Sequence, residues 1–222
     1  MFYRPGEWAA ANTPVLALLP DSEVKLVFFV PEAEMARYRP GRTVTFRCDG
    51  CAEAGRAAGL EVTPQHLTLS APDCYERLGT FAQMNPPIRS GAHRDGLWHW
   101  LNQGVPDVIG SDHAPHTREE KAKEYPASPS GMPGVQTLLP LMLNHVAEGR
   151  LTLQRLIDMT SAGPQRIFGI AGKGRIAVGY DADFTVVDLK ARWTIDEQWL
   201  ASRCGWSPFT GMTLTGKPVG TI

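Results

Sequence analysis

The chain has 222 residues, 43% of them hydrophobic and 20% charged, with a net charge of −1. That balance is ordinary for a soluble globular protein and carries neither the basic footprint of a nucleic-acid binder nor a charged patch for a membrane surface. No apolar run approaches the roughly 20 residues that span a bilayer, and Met1 to Trp8 lacks the basic-then-apolar pattern of a secretory leader.

Taken in chain order, residues 14–47 read as β. Pro14–Leu19 is a short apolar run, Val24–Val30 is β-branched and aromatic, and Thr43–Arg47 alternates after a Pro40-Gly41 turn. Pro31–Arg37 between them reads as a helical turn with proline at its first position. Ala52–Ala58 reads as a short helix stopped by Gly59, and Leu60–Thr63 as a strand. Helical periodicity marks His93–Gln103, with Leu97, Trp98 and Leu101 apolar. Asp107–Gly110 is a short strand of the buried type. Gln136–Ala147, Leu151–Ser161 (opened by Thr152) and Pro164–Phe168 (stopped by Gly169) read as helices. Ala182–Leu189 is a strand, and the rest to Ile222 reads as short strands and turns. The expected fold class is α/β: a piece of parallel α/β structure in the middle and a small separate sheet at the end.

Of the four cysteines, Cys48 and Cys51 form a lone C-x-x-C. Two thiols fall short of the about four ligands a structural zinc takes. With Cys74 and Cys204 they read as reduced thiols in a reducing, cytoplasmic setting.

Three segments carry chemistry. The densest is Asp112-His113-Ala114-Pro115-His116, directly after the strand Asp107–Gly110. A carboxylate at the C-terminal end of a parallel strand sits where barrels build active sites. Asp112 could bind a metal or shuttle a proton, and His116 could donate a hydrogen bond or carry charge toward a substrate carboxylate. The plainer alternative is that Asp112 caps the next segment and the histidines bond backbone. Second, Pro86-Pro87 stiffens the loop behind Asn85, whose amide can both donate to and accept from a cyclic amide. Third, the glycines of Ser130-Gly131-Met132-Pro133-Gly134 let backbone approach a ligand, or simply shape a loop ahead of a helix. His66 reads as structural, His93, His99 and His145 as surface or core residues, and Arg89 and Arg94 as ion-paired loop residues.

In order, EVTPQHLTL (61–69), AQMNPPIRS (82–90), DVIGSDHAPHTREEK (107–121), SPSGMPGVQTLLPLML (128–143), SAGPQRIFGI (161–170), KGRIAVGYDADFTVVDL (173–189) and SPFTGMTLTGKPVGTI (207–222) closely resemble the C-terminal portion of class I dihydroorotases, in the amidohydrolase superfamily. The resemblance covers residues 52–222. It implies the C-terminal part of a (β/α)8 barrel at 52–168 and part of a small β domain at 169–222. It also implies a binuclear zinc centre and hydrolysis of a cyclic amide C–N bond, dihydroorotate against carbamoyl aspartate in pyrimidine synthesis. Asp112 then matches the aspartate that binds a metal and shuttles the proton, and Asn85 a residue touching the ring. His116 matches the histidine on the substrate carboxylate, and Pro133 and Gly134 the loop offering backbone groups to the ring. Allantoinase and dihydropyrimidinase are the neighbouring alternatives.

The other ligands the resemblance implies have no counterpart in the segment it covers: a His-x-His, a bridging aspartate or carboxylated lysine, and two single histidines. An arginine for the carboxylate is also without one. One carboxylate does not hold zinc, so the expectation is an incomplete barrel, inactive and poorly folded alone. Its partners would be a small-molecule substrate and either a homo-oligomer or a chain supplying the other strands. A non-catalytic remnant or fusion fragment is the second expectation. Residues 12–51 resemble a β-rich stretch of periplasmic adaptor (membrane fusion) proteins of efflux pumps, which places a domain boundary between residues 51 and 52.

Overall fold

The computed structural model describes the backbone of residues 43–48 and 51–56 and all of residues 59–222. The strands expected at Pro14–Leu19 and Val24–Val30 and the turn at Pro31–Arg37 lie outside the described residues, as does most of the adaptor-like stretch. Strand β1 (Thr43–Cys48) pairs antiparallel with β2 (Cys51–Arg56), Cys48 facing Cys51 at one end and Thr43 facing Arg56 at the other. This corrects the helix expected at Ala52–Ala58. The alanines favour a helix only weakly, and pairing with an alternating strand overrides that preference. In the sequence Asp49-Gly50 falls between the two runs, and an Asp-Gly pair in that place is itself a hairpin signal. The hairpin crosses the boundary expected between residues 51 and 52.

The functional end of the molecule is built on two short parallel strands. In β3 (Glu61–Val62) and β4 (Val108–Ile109), Glu61 pairs with Val108 and Val62 with Ile109. Asp107 N–H donates to the Leu60 carbonyl (2.8 Å) and Gly110 N–H to the Val62 carbonyl (3.0 Å), extending the ladder at both ends. Parallel strands need a crossover of a dozen residues or more. Here it holds α1 (Pro64–Thr68), α2 (Asp73–Leu78), a 3-10 turn (Gly79–Ala82) and α3 (Gly91–Asn102). The Thr63 hydroxyl caps α1 by accepting the His66 N–H, and Pro64 stands at its first position, where the absent N–H costs nothing.

After β4 come α4 (Arg118–Lys121), α5 (Leu138–Ala147), α6 (Leu153–Ile157), a wide π-type turn (Asp158–Ala162) and α7 (Gly163–Phe168). The helix expected at 151–161 is thus two pieces, opened as expected by the Thr152 hydroxyl accepting the Arg155 N–H. Gly169 ends α7 with φ +63, as a glycine stop does. The final element is an antiparallel pair, β5 (Thr185–Thr194) and β6 (Thr213–Thr221), longer than the sequence suggested.

Two clusters make the core, and α5 joins them. Met142 and Leu143 face Val62, Leu67, Trp98, Leu101 and Ile109, while Leu141 faces Met84, Ile88, Met132, Phe209 and Leu214. Fully burying such a side chain contributes about 1.5–3 kcal/mol. Trp98 closes the first cluster by donating its indole N–H to the Leu67 carbonyl (2.9 Å). Strand β6 crosses α5 so closely that a Cβ on Gly216 (φ +100) would lie 2.7 Å from the Leu143 Cβ. Beyond these cores Ile176, Val178, Leu189 and Val219 remain exposed.

Candidate functional site

The chain leaves β4 at Gly110 and turns sharply. Asp112 takes φ +42, the only non-glycine residue with positive φ among those described. Left-handed backbone costs an L-residue about 1–2 kcal/mol, and aspartate is among the few that tolerate it. The neighbours on both sides hold the turn in place. Gln65, wholly buried in α1, donates its amide N–H to the Ser111 carbonyl (2.7 Å). His113 aligns with Met132, and the Ala114 N–H donates to the Met132 carbonyl (3.1 Å).

Asp112 is half-buried, and burial pushes its carboxyl above the usual carboxylate range, opposed by the nearby His66. Glu61, at the start of β3, is also pushed up, first by burial and then by the negative charge of Asp112. His66 is pushed down by burial, against the Pro86 carbonyl and Asp112, which both favour its charged form. Its ring is fixed at both nitrogens, Nδ1 against the Thr63 hydroxyl (2.7 Å) and Nε2 against the Pro86 carbonyl (3.0 Å). His66 is the histidine expected to be structural, and Glu61 is not among the expected site residues. The hydrogen bonds of His66 are structural and reach the Asn85-Pro86 loop, yet the ring is also near enough to Asp112 for each to bias the other's charge. The signal available for Glu61 was a carboxylate opening a strand that is otherwise apolar.

Asn85 is exposed between the buried anchors Met84 and Ile88. Its segment is laced to the glycine loop. Gly131 N–H donates to the Gln83 carbonyl (2.9 Å), Gln83 Nε2 donates to the Ser128 carbonyl (3.0 Å), and the Lys121 ammonium bridges the Gln83 and Pro129 carbonyls. Among the described residues, the side chains of Asn85 and Asp112 make no hydrogen bond, so both are available to a ligand. His116 is half-buried, with Nε2 against the Ser130 carbonyl (3.1 Å) and Nδ1 3.8 Å from the Glu120 carboxylate. Pro133 and Gly134 are buried. Gly134 runs so near the strand end that a Cβ there would lie 2.2 Å from the Ser111 carbonyl oxygen. Its N–H donates to His113 Nδ1 (3.1 Å), and its carbonyl accepts from Leu138 N–H and the Thr137 hydroxyl. A cleft of about 320 Å³ lies beside this loop, walled by His113, Pro133, Gln136, Leu200 and Trp206. The histidines of the 112–116 cluster therefore do bond backbone, while Asp112 caps no helix. Arg94 pairs with Asp95 from within α3 rather than from a loop.

Among the described residues no three His, Cys, Asp or Glu side chains are grouped so as to hold a metal ion. Asp112 has His66 and Glu61 nearby, but both His66 nitrogens are engaged by hydrogen bonds. The donor set is one free carboxylate with a second beside it, short of the about four ligands zinc takes. The described residues do not fit a zinc centre.

A strained acidic turn at the C-terminal end of a parallel strand, flanked by loops bearing an amide and a histidine, lies where parallel α/β structures gather their ligand-binding groups. The sequence profile of the amidohydrolase family matches residues 40–222, and the chain belongs to that family, whose enzymes typically depend on a metal. The match overlaps the last residues of the adaptor-like stretch. Within the family the chain is similar to dihydroorotases. It is 47% identical over 160 residues to the dihydroorotase of Halobacterium salinarum, covering 72% of this chain and 38% of that one. It is 43% identical over 163 residues to the dihydroorotase of Pyrococcus furiosus, covering 73% and 37%. Among solved structures, L-hydantoinase (dihydropyrimidinase) from Arthrobacter aurescens superposes with a TM-score of 0.69 at 37% identity, over 73% of this chain and 37% of that one. The dihydropyrimidinase from Brevibacillus agri gives 0.66 at 27% identity, with the same coverage. The chain thus spans little more than a third of the length of the relatives it matches.

Proposed function

We propose that residues 59–222 supply the C-terminal part of a dihydroorotase-type barrel, acting on the cyclic amide of dihydroorotate and, in reverse, on carbamoyl aspartate. The observation that carries this reading is the free, strained Asp112 at the end of β4, near the His66 ring that bonds the Pro86 carbonyl of the Asn85 loop. In this reading Asp112 takes and returns the proton of the amide reaction, its raised pKa bringing it nearer the working range of a general acid–base. Asn85 faces the ring amide, His116 the substrate carboxylate, and the backbone at Pro133 and Gly134 the ring edge. The pairing of Asn85-Pro86 with Asp112–His116 favours dihydroorotate over the hydantoin and allantoin rings of the neighbouring classes.

The described residues offer a zinc pair one free carboxylate. The chain alone is therefore expected to be inactive, its partner a polypeptide that brings further strands and ligands. The second reading, a non-catalytic remnant, is favoured by one observation: among the described residues no three His, Cys, Asp or Glu side chains are grouped to hold a metal.

The test is zinc content and dihydroorotate hydrolysis, on the purified chain alone and mixed with the N-terminal two-thirds of the Halobacterium salinarum dihydroorotase. Less than one tightly bound zinc and no turnover are expected alone, with turnover in the mixture that Asp112→Asn abolishes. Turnover insensitive to Asp112→Asn, or confined to hydantoin or allantoin, refutes the reading. A silent mixture favours the remnant.

A further inference from the structure

His113 stands in the Asp112–His116 cluster without a part in the chemistry just proposed, yet its side chain bonds the two halves of the site directly. Its Nδ1 receives two consecutive backbone donors, the Gly134 N–H at 3.1 Å and the Val135 N–H at 3.3 Å. Pro133, just before them, has no N–H, so these are the first two donors of the segment leading into α5. An imidazole nitrogen that accepts carries no proton, and in the neutral ring the other nitrogen then carries it. The geometry therefore sets the tautomer: Nδ1 bare, Nε2 protonated.

The same loop is fixed a second time by packing. No atom beyond hydrogen fits on the Gly134 Cα, because a Cβ would meet the Ser111 carbonyl oxygen at 2.2 Å and Gln65 Nε2 at 2.6 Å. Ser111 and His113 thus grip Gly134 from either side of Asp112. Any displacement of the Pro133–Val135 segment from His113 is a displacement relative to Asp112.

We infer that His113 is a positioning residue: through a bare Nδ1 it sets the Pro133–Val135 backbone at a fixed distance from Asp112, so that ring-contacting backbone and proton-handling carboxylate keep one geometry. This rests on the reading above, in which that backbone meets the ring. The imidazole acts through the loop and handles no proton of the reaction.

Three variants separate this role from mere folding. In His113→Asn the amide oxygen lies close to where Nδ1 was and can accept both N–H groups. In His113→Gln the amide is one bond too far out, and in His113→Ala there is no acceptor. Circular dichroism melts identify any variant that fails to fold, and His113→Asn remains informative where the others do not. On the full chain, nitrogen-15 spectra of the imidazole at about pH 8, where histidine is ordinarily neutral, should show Nδ1 as the unprotonated nitrogen. The Gly134 and Val135 amide signals should stay in place in His113→Asn and move in the other two. Titration with dihydroorotate should shift those amides with similar affinity in the wild type and His113→Asn. Affinity should fall about tenfold in His113→Ala and His113→Gln, the scale of two modest hydrogen bonds.

A protonated Nδ1 overturns the inference, as does an alanine variant that keeps both the amide positions and the affinity. Amides that move while affinity holds also overturn it, because His113 then holds the loop without serving the site. If dihydroorotate shifts nothing even in the wild type, the ring-contact reading fails, while the nitrogen and amide signals still decide whether His113 holds the loop.

Discussion

Lys121→Met is the sharpest probe of how the two site loops are held together. Lys121 is wholly buried, and its ammonium donates to the Gln83 carbonyl at 3.0 Å and the Pro129 carbonyl at 2.8 Å. Burial alone, with no carboxylate beside it, pushes its pKa from 10.5 down to about 8. At 1.36 kcal/mol per unit that fall is worth roughly 3 kcal/mol. The sign follows from proton counting. Between about pH 8 and 10.5 the unfolded chain keeps its lysine proton and the folded chain has released it, so stability rises with pH across that window. Below pH 8 the folded protein bears the full cost of a buried charge. Above it, a neutral amine still donates to both carbonyls. Methionine removes the charge but strands the Pro129 carbonyl, at about 1–3 kcal/mol, and leaves the Gln83 carbonyl with the Gly131 N–H alone, so the two proteins should be near parity at neutral pH. The wild type should then gain on Lys121→Met by roughly 3 kcal/mol by about pH 10.5. Urea unfolding followed by tryptophan fluorescence at a series of pH values reads this directly, since other titrations cancel in the difference. A gap that stays flat from neutral to alkaline pH would refute a buried, uncompensated ammonium at this position.

Gly134→Ala should destabilise the chain by about 1–3 kcal/mol, because the added methyl meets a backbone carbonyl that has no room to retreat; an unchanged urea midpoint would mean that the loop does not pass so close to Ser111. His145 is held neutral by burial, its pKa pushed from 6.5 down to about 4, with Glu148 favouring the charged form. The unfolded chain therefore binds the proton first on acidification, and stability should be lost as pH falls from about 6.5 toward 4. His145→Asn should flatten that slope, and equal slopes in the two proteins would show that another group carries the acid limb.

The longer elements were legible because their signals are local. Helices α3 and α5 announced themselves by apolar spacing, and the Thr152 cap and Gly169 stop fell where their chemistry demands. The five-residue α1 is not legible, although Thr63-Pro64 is a sound start signal, because a single turn carries no periodicity. The helix expected at Ala52–Ala58 fails for the opposite reason: its composition is legible, but pairing with β1 overrides it. The site divides the same way. Asp112 and His116 stood out as a cluster within five residues. Glu61 and His66 come to Asp112 only because β3 pairs with β4, a contact between residues about 50 apart that no local pattern encodes.

The strain at Asp112 and the buried charge of Lys121 belong to one physical account. A left-handed aspartate costs the fold about 1–2 kcal/mol and an uncompensated ammonium roughly 3 kcal/mol. Either residue could be replaced by one that folds more easily: asparagine or glycine at the turn, an apolar side chain in the core. Gln65 and His113 fix the turn from both sides, and Lys121 fixes the Asn85 segment against the glycine loop. Each costly feature is braced by bonds that lead to a residue with a free polar group, Asp112 in one case and Asn85 in the other. Strain that persists only where the surroundings over-determine it is the mark of a site built to meet a ligand rather than of a fold seeking its own minimum. On that argument, replacing Asp112 with glycine should raise the stability of this chain by about 1 kcal/mol while abolishing the turnover expected of the mixture proposed above; a loss of stability would show that the aspartate is retained for the fold.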